Sequence, residues 1–366
     1  MRVLMLVHSL RRGGAERVLL ELSLALQKRG HAVEVVSWLD VDEYREGHYM
    51  RVSRHYLLRR DDYRWIWSIP HSAGKLRKIA RGFRPDVIEI HTPNAAWLAA
   101  WAGLGVPCVY VLHGYGPITR YRGLKGGFII FFSRLAARKL NAAFITVSGS
   151  MTEAASGYFH AGREHFHCVP NGVDLQKFPH RDRPPAAVPS ILMIGTLSRN
   201  KGQALGIRAF KALLDHMENA RLGIVGDGPD RKSLEYIAKF NGLEEKIEFL
   251  GRREDVPEIL ASSHILWQLS DSEGMPMVVL EAMASGIPAI GFDVRGTRDA
   301  VVCGQTGCLV RHGDIGAVAR QTADLLKDGA RYQNFSINSR RRAEQLFNLE
   351  LMAGGHERVL QSAASR

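Results

Sequence analysis

Short apolar runs alternate with stretches of helical period along the whole chain, and this rhythm leaves the sequence few folds to choose from. Val3–Val7, Val33–Trp38, Val87–Ile90, Val109–Leu112 and Ala143–Val147 read as buried strands. Between the first two, residues 16–28 carry apolar side chains at 18, 19, 22, 25 and 26, the spacing of one helix face. Strands apolar on both faces, with helices between them, imply a parallel sheet covered on each side. The rhythm stops at 178–189, where Pro179, Pro184, Pro185 and Pro189 stand among polar residues. Proline continues neither a helix nor a central strand, so this segment reads as a linker. After it the pattern restarts with Ile191–Ile194, Arg221–Val225, Lys246–Phe249, Ile265–Leu269, Ala289–Phe292 and Cys308–Val310. At 366 residues the chain has the length for two domains. The expectation is an α/β protein of two Rossmann-like, doubly wound domains facing a central cleft. They span 1–180 and 181–345, with a helix at 346–366 packing back towards the first. Ligands then belong at the carboxyl ends of the strands.

Charge divides the halves. Residues 1–180 hold 25 Lys+Arg against 14 Asp+Glu, and residues 181–366 hold 24 against 23, so nearly all of the net +12 lies in the first half. The four cysteines, Cys108, Cys168, Cys303 and Cys308, are too few for a disulfide framework, and reduced thiols in a cytosolic setting are expected. No apolar run reaches the ~20 residues of a membrane helix. The opening Met1–Val7 runs into His8, Arg11 and Arg12 without a small-residue cleavage site, and reads as a strand rather than a leader.

Three glycine-containing turns follow strands. Gly13-Gly14 precedes the first helix, where free N–H groups suit an anion. Gly195-Thr196-Leu197-Ser198-Arg199-Asn200-Lys201-Gly202 sets Arg199 and Lys201 just before a helix starting near Gln203, where a diphosphate would find positive charge. Ser270 to Pro288 carries Glu273 and Glu281, separated by seven residues, around a helix starting near Pro276. Their carboxylates suit sugar and ribose hydroxyls. The dinucleotide and P-loop fingerprints are absent. Asp40-Val41-Asp42 has the spacing of a divalent-metal pair, but with Glu43 beside it reads as a solvated acidic loop, and His165, His167 and Cys168 lack a fourth zinc ligand. No metal and no cofactor is expected.

The string S-D-S-E-G-M-P-M-V-V-L-E-A-M-A-S-G-I-P at 270–288 resembles the Glu-x7-Glu segment of the retaining, GT-B-fold glycosyltransferases of family 4 (group 1). The opening M-R-V-L-M-L-V-H-S-L-R-R-G-G-A-E-R-V, then V-L-H-G, V-P-N-G-V-D at 169–174, I-V-G-D-G-P at 224–229 and F-L-G at 249–251 follow in the family's order, across almost the whole chain. The resemblance implies a nucleotide-sugar donor, most often a UDP-sugar. In that reading Gly13 and Gly14 lie near the diphosphate or the acceptor, and His113 contacts the donor sugar. Lys201 binds the diphosphate, Glu273 holds the transferred sugar, and Glu281 holds the ribose. Where the family usually has Arg directly after the strand-end glycine, this chain has Thr196, and Arg199 is the neighbouring guanidinium. Retention would proceed by front-face substitution, the departing phosphate taking the acceptor proton. Closure of the domains would exclude water.

From Arg51 to Arg84 ten Lys/Arg face two acids, with Tyr56, Tyr63, Trp65 and Trp67 interleaved. From 126 to 140 an amphipathic helix is expected, with Phe128, Phe131, Phe132 and Leu135 in one stripe beside Arg134, Arg138 and Lys139. Basic and aromatic residues together favour docking on an anionic membrane surface. A protein that is cytoplasmic and peripheral on the inner face of the membrane is therefore expected, acting on a lipid-linked glycan. A soluble acceptor, such as a sugar phosphate or small metabolite, is the alternative. No nucleic-acid partner is expected, since no such signature is present.

Overall fold

The computed structural model describes residues 1–45, 47–62, 65–114, 123–180 and 188–365, with the side chains at 47, 65, 66 and 123–130 left aside. Tyr63, Tyr115, Gly116 and the linker residues 181–187 lie outside the described residues, as do the side chains of Trp65 and Phe128. Two compact units emerge, 1–172 together with 349–366, and 173–348.

The first unit holds a seven-stranded parallel sheet in the order β3-β2-β1-β4-β5-β6-β7. Its strands are β1 (Arg2–Val7), β2 (Ala32–Leu39), β3 (Ser53–Leu58), β4 (Val87–Ile90), β5 (Cys108–Leu112), β6 (Ala143–Thr146) and β7 (Phe166–Cys168). Its helices are α1 (Gly14–Lys28), α2 (Ile69–Phe83), α3 (Pro93–Ala102), α4 (Gly123–Leu140), α5 (Gly149–Phe159) and α13 (Leu349–Ala364). The apolar face read from the sequence of α1 is buried, including Val18, Leu19, Leu22, Ala25 and Leu26. Each fully buried leucine there contributes about 1.5–3 kcal/mol.

Helix α13 packs on β4, β5 and β6 and beside α1. Its Gly355 is small for a reason, since a Cβ there would stand 2.6 Å from Val169 Cγ1. Glu357 fixes its outer side, accepting from Arg29 Nε at 2.8 Å and pairing with His31 Nε2 at 2.8 Å.

The second unit repeats the plan with six parallel strands in the order β10-β9-β8-β11-β12-β13. These are β8 (Ser190–Ile194), β9 (Arg221–Val225), β10 (Ile247–Gly251), β11 (Ile265–Gln268), β12 (Ala289–Phe292) and β13 (Gly307–Val310). Its helices are α6 (Gln203–Leu214), α7 (Arg231–Phe240), α8 (Val256–Ala261), α9 (Met277–Ala284), α10 (Thr297–Ala300), α11 (Ile315–Lys327) and α12 (Gly329–Leu346). Its core gathers Ile191, Phe210, Leu222, Ile265, Trp267, Phe292 and Phe335.

The boundary between units falls at 172/173 rather than 180/181. Val173 donates its N–H to the Phe347 carbonyl at 2.7 Å, and the Phe178 carbonyl accepts from Arg340 Nη1 at 2.7 Å, so both already belong to the second unit. The acidic loop is also corrected. Asp42 is not solvated: its carboxylate accepts from Arg54 Nη1 at 2.6 Å, from the Tyr56 hydroxyl and from the Tyr44 N–H at 2.8 Å. Strands β3 and β7 were not foreseen. The first is an edge strand whose apolar residues come only at its end, and the second has three residues.

Candidate active site

In the second unit the strand order reverses between β8 and β11, the switch point where an open parallel sheet offers a crevice at its carboxyl edge. After β8 the chain passes Gly195 and Thr196 into one 3-10 turn, Arg199–Lys201, and then α6. Gly202 joins the two with φ +73°, and a Cβ there would stand 1.9 Å from the Leu269 carbonyl oxygen. Only glycine lets this turn lie against the end of β11.

That close approach sets Lys201 beside the loop after β11, where its Nζ donates to Glu273 Oε1 at 2.6 Å. Gln268, the last residue of β11, donates to the same oxygen at 3.0 Å and to Ser270 Oγ at 2.8 Å. From the other side Gly296 (φ +82°) fits under Glu273, whose carbonyl oxygen would be 2.1 Å from a Cβ there. The Glu273 N–H donates to the Arg295 carbonyl at 3.3 Å. Gln203 closes the β8–α6 loop by donating to the Thr196 carbonyl at 3.0 Å. The lysine side chain is 30% exposed and the glutamate 13%, so the ammonium keeps donors facing outward.

Of the residues singled out in the sequence, the structure joins Lys201 to Glu273 and ties Thr196 to the start of α6. Arg199 is exposed in the same turn as Lys201, and among the described residues no bond joins it to the pair. Glu281 is buried in α9, which starts one residue after Pro276. Gln268 and Ser270 were missed. The available signal was an amide closing the apolar run Ile265-Leu266-Trp267.

In the first unit the candidate residues occupy two places. Gly13 caps α1, its N–H donating to the Tyr44 hydroxyl at 3.2 Å. The Glu16 carboxylate folds over this helix start: a Cβ on Gly13 would come within 2.3 Å of Glu16 Oε2. Burial pushes the Glu16 carboxyl above its ordinary value. The Glu16 side chain thus lies against the turn at Gly13 where the sequence suggests an anion.

His113 directly follows β5, and its Nε2 lies 2.8 Å from His91 Nδ1. Burial, then the neighbouring His91 and His356, hold the His113 ring well below the ordinary histidine value, so it is neutral. Among the described residues no group of three or more His, Cys, Asp or Glu side chains comes together as metal ligands.

Two family models cover most of the chain, Glycosyltransferase Family 4 over residues 12–177 and Glycosyl transferases group 1 over 177–342. The N-acetyl-alpha-D-glucosaminyl L-malate synthase of Bacillus anthracis is 34% identical over 153 residues, 42% of this chain and 40% of that protein. A second relative, of Campylobacter jejuni, is the GalNAc-alpha-(1->4)-GalNAc-alpha-(1->3)-diNAcBac-PP-undecaprenol alpha-1,4-N-acetyl-D-galactosaminyltransferase. It is 27% identical over 334 residues, 90% of this chain and 89% of that protein. Among solved structures, Anabaena HepE in complex with UDP and glucose superposes with a TM-score of 0.85 at 21% identity, over 99% of this chain and all of that one. With two parallel α/β units, matched in order by both family models, the chain belongs to the group 1, family 4 glycosyltransferases of GT-B fold.

Proposed function

We propose that this glycosyltransferase moves a sugar, with retention of anomeric configuration and without a metal, from a UDP-sugar to a lipid-linked saccharide in cell-surface glycan assembly. The observation that carries the reading is the Lys201–Glu273–Gln268 cluster at the switch point of the second unit. Lys201 has one donor on Glu273 and others facing outward, suited to the diphosphate as its charge grows. Glu273, held by backbone and by Gln268, is suited to sugar hydroxyls, and the buried Glu281 to the ribose. Arg199, on the same turn, takes the guanidinium role that Thr196 leaves open. The neutral His113 suits a hydroxyl of the donor sugar, and Gly13 and Gly14 stand near the acceptor.

The bond from the anomeric carbon to the phosphate oxygen breaks while that carbon bonds the acceptor oxygen on the same face, and the acceptor proton passes to the leaving phosphate. The bound UDP of the HepE crystal supports the nucleotide, and the undecaprenol-linked acceptor named for the Campylobacter enzyme supports the lipid. Independence from metal is supported by Asp42, whose carboxylate is already occupied by Arg54 and Tyr56.

A cytoplasmic, peripheral placement at the inner face of a membrane completes the reading. No helix among the described residues is long and apolar enough to cross a bilayer. The first unit turns Trp67, Trp101, Phe131 and Leu135 outward, with Arg138 and Lys139 exposed on the same helix as the last two. A soluble acceptor is the second reading, favoured by the likeness to the malate synthase. Thermal shift with UDP, GDP and ADP, followed by transfer assays with polyprenyl-diphosphate and soluble acceptors in EDTA, tests each part. UDP should raise the melting temperature most, and lipid acceptors should turn over in EDTA. No nucleotide shift, or turnover abolished by the chelator, overturns it.

A further inference from the structure

Three buried titratable side chains behind His113 have no part in the reading above. Glu89 lies within β4 and His91 just after it, and the register Glu89↔Val109 puts both on the same sheet face as Val109, Val111 and His113. Helix α13 packs against these strands and brings His356 to Glu89. None of Glu89, His91 and His356 is more than 4% exposed. A carboxylate among apolar strands is costly unless bonded, and Glu89 Oε1 is met by His356 Nδ1 at 2.5 Å. Its second oxygen faces His91 Nε2 at 3.7 Å, too long for a hydrogen bond but near enough for its charge to act. On the other edge of that ring, His91 Nδ1 meets His113 Nε2 at 2.8 Å, with the two rings inclined by 20°.

The geometry points to a positioning relay in which Glu89, its charge met by His356, keeps the His91 proton on Nε2 and thereby fixes the tautomer of His113. In a His91 ring that carries one proton, a lone pair turned towards the carboxylate would be repelled and an N–H attracted, so His91 Nδ1 is the acceptor and His113 Nε2–H the donor. His113 Nδ1 then carries the free lone pair. No described residue bonds that atom, and it has almost no contact with solvent. A buried acceptor left in this way is suited to a ligand hydroxyl. The sugar-binding consequence rests on His113 being a donor-sugar contact, whereas the tautomer does not.

The full chain with 15N-labelled histidine answers the question in long-range 1H–15N spectra, with the His113 signals assigned by their loss in His113→Gln. The wild type should show His113 protonated on Nε2. His91→Asn, which keeps an acceptor at the same place, should preserve that state, and His91→Phe should mix the tautomers. In transfer assays His91→Phe should lower kcat at least tenfold, with UDP affinity unchanged and activity largely rescued by His91→Asn. His113 protonated on Nδ1 in the wild type overturns the relay, and this outcome needs no variant at His91. An unchanged tautomer in His91→Phe overturns it as well. The expected tautomer together with full activity of His113→Gln would confirm the relay while removing His113 from the sugar site.

Discussion

Lys201 and Glu273, 72 residues apart in sequence, are bonded Nζ to Oε1 at 2.6 Å. A cation already paired on one side, and open on the other, is oriented before any ligand arrives. Lys201→Ala should therefore cut kcat by about 10²-fold or more, the usual effect of removing one group that stabilises developing charge. Steady-state turnover with a UDP-sugar measures this. Near-normal turnover would end the leaving-group role.

Glu281 is buried in α9 at 1% exposure. Glu281→Gln keeps its shape and replaces one carboxyl oxygen by an amide group. If it holds the ribose, nucleotide affinity should fall about tenfold, in line with the ~1–3 kcal/mol of leaving a buried hydrogen-bonding group unpaired. Calorimetric titration with UDP reads this directly. An unaltered dissociation constant would assign Glu281 to packing alone.

Burial pushes the Glu89 carboxyl up, but His356 and His91 outweigh it and hold it below its ordinary 4.5. A lowered folded value makes the contribution of the pair complete above about pH 4.5 and lost as pH falls through the folded value. Glu89→Gln should cost about 3–5 kcal/mol at pH 7, since it replaces one partner of a fully buried, bonded pair. The deficit should shrink in acid. Urea unfolding of both proteins at pH 7 and pH 4 compares them, and equal midpoints at pH 7 would contradict the assignment.

The helix proposed to meet the membrane divides its residues. Phe132 packs edge-on to Trp97 with ring centroids 6.4 Å apart, and Arg134 donates from Nε to the Tyr158 carbonyl. Phe131 and Leu135, at 61% and 48% exposure, point outward. Combining Phe131→Ser, Leu135→Ser, Arg138→Gln and Lys139→Gln should abolish flotation with anionic liposomes and leave the urea midpoint in place. Arg134→Gln should do the reverse. Full flotation of the quadruple variant would remove this helix from the membrane-docking surface.

Much of the fold is legible because parallel strands are buried on both faces. Val3–Val7 and Ile191–Ile194 announce themselves by composition alone, whereas Ser53–Leu58 has polar and charged residues where an edge strand needs no core. The string at 270–288 is likewise readable, because glycine, proline and carboxylates stand close together along it. What stays hidden is long-range. Neither the bond from Lys201 to Glu273 nor that from Glu89 to His356, 267 residues further on, follows from local pattern. Gly202 and Gly296 look like ordinary turn residues until the carbonyls beneath them are seen. The solvated reading of Asp42 failed for the same reason, since Arg54 and Tyr56 arrive from a strand with no apolar signature.

Because the covering helix α13 is the last element described and belongs with the first unit, the polypeptide is threaded as an insertion. Residues 173–348 are contiguous and can complete their own sheet by themselves, while the earlier sheet waits, with Glu89 and His91 uncapped, for residues from the far side of that insertion. A chain truncated before residue 349 would thus present a finished later half and an open earlier half, exposed to chaperones and proteases.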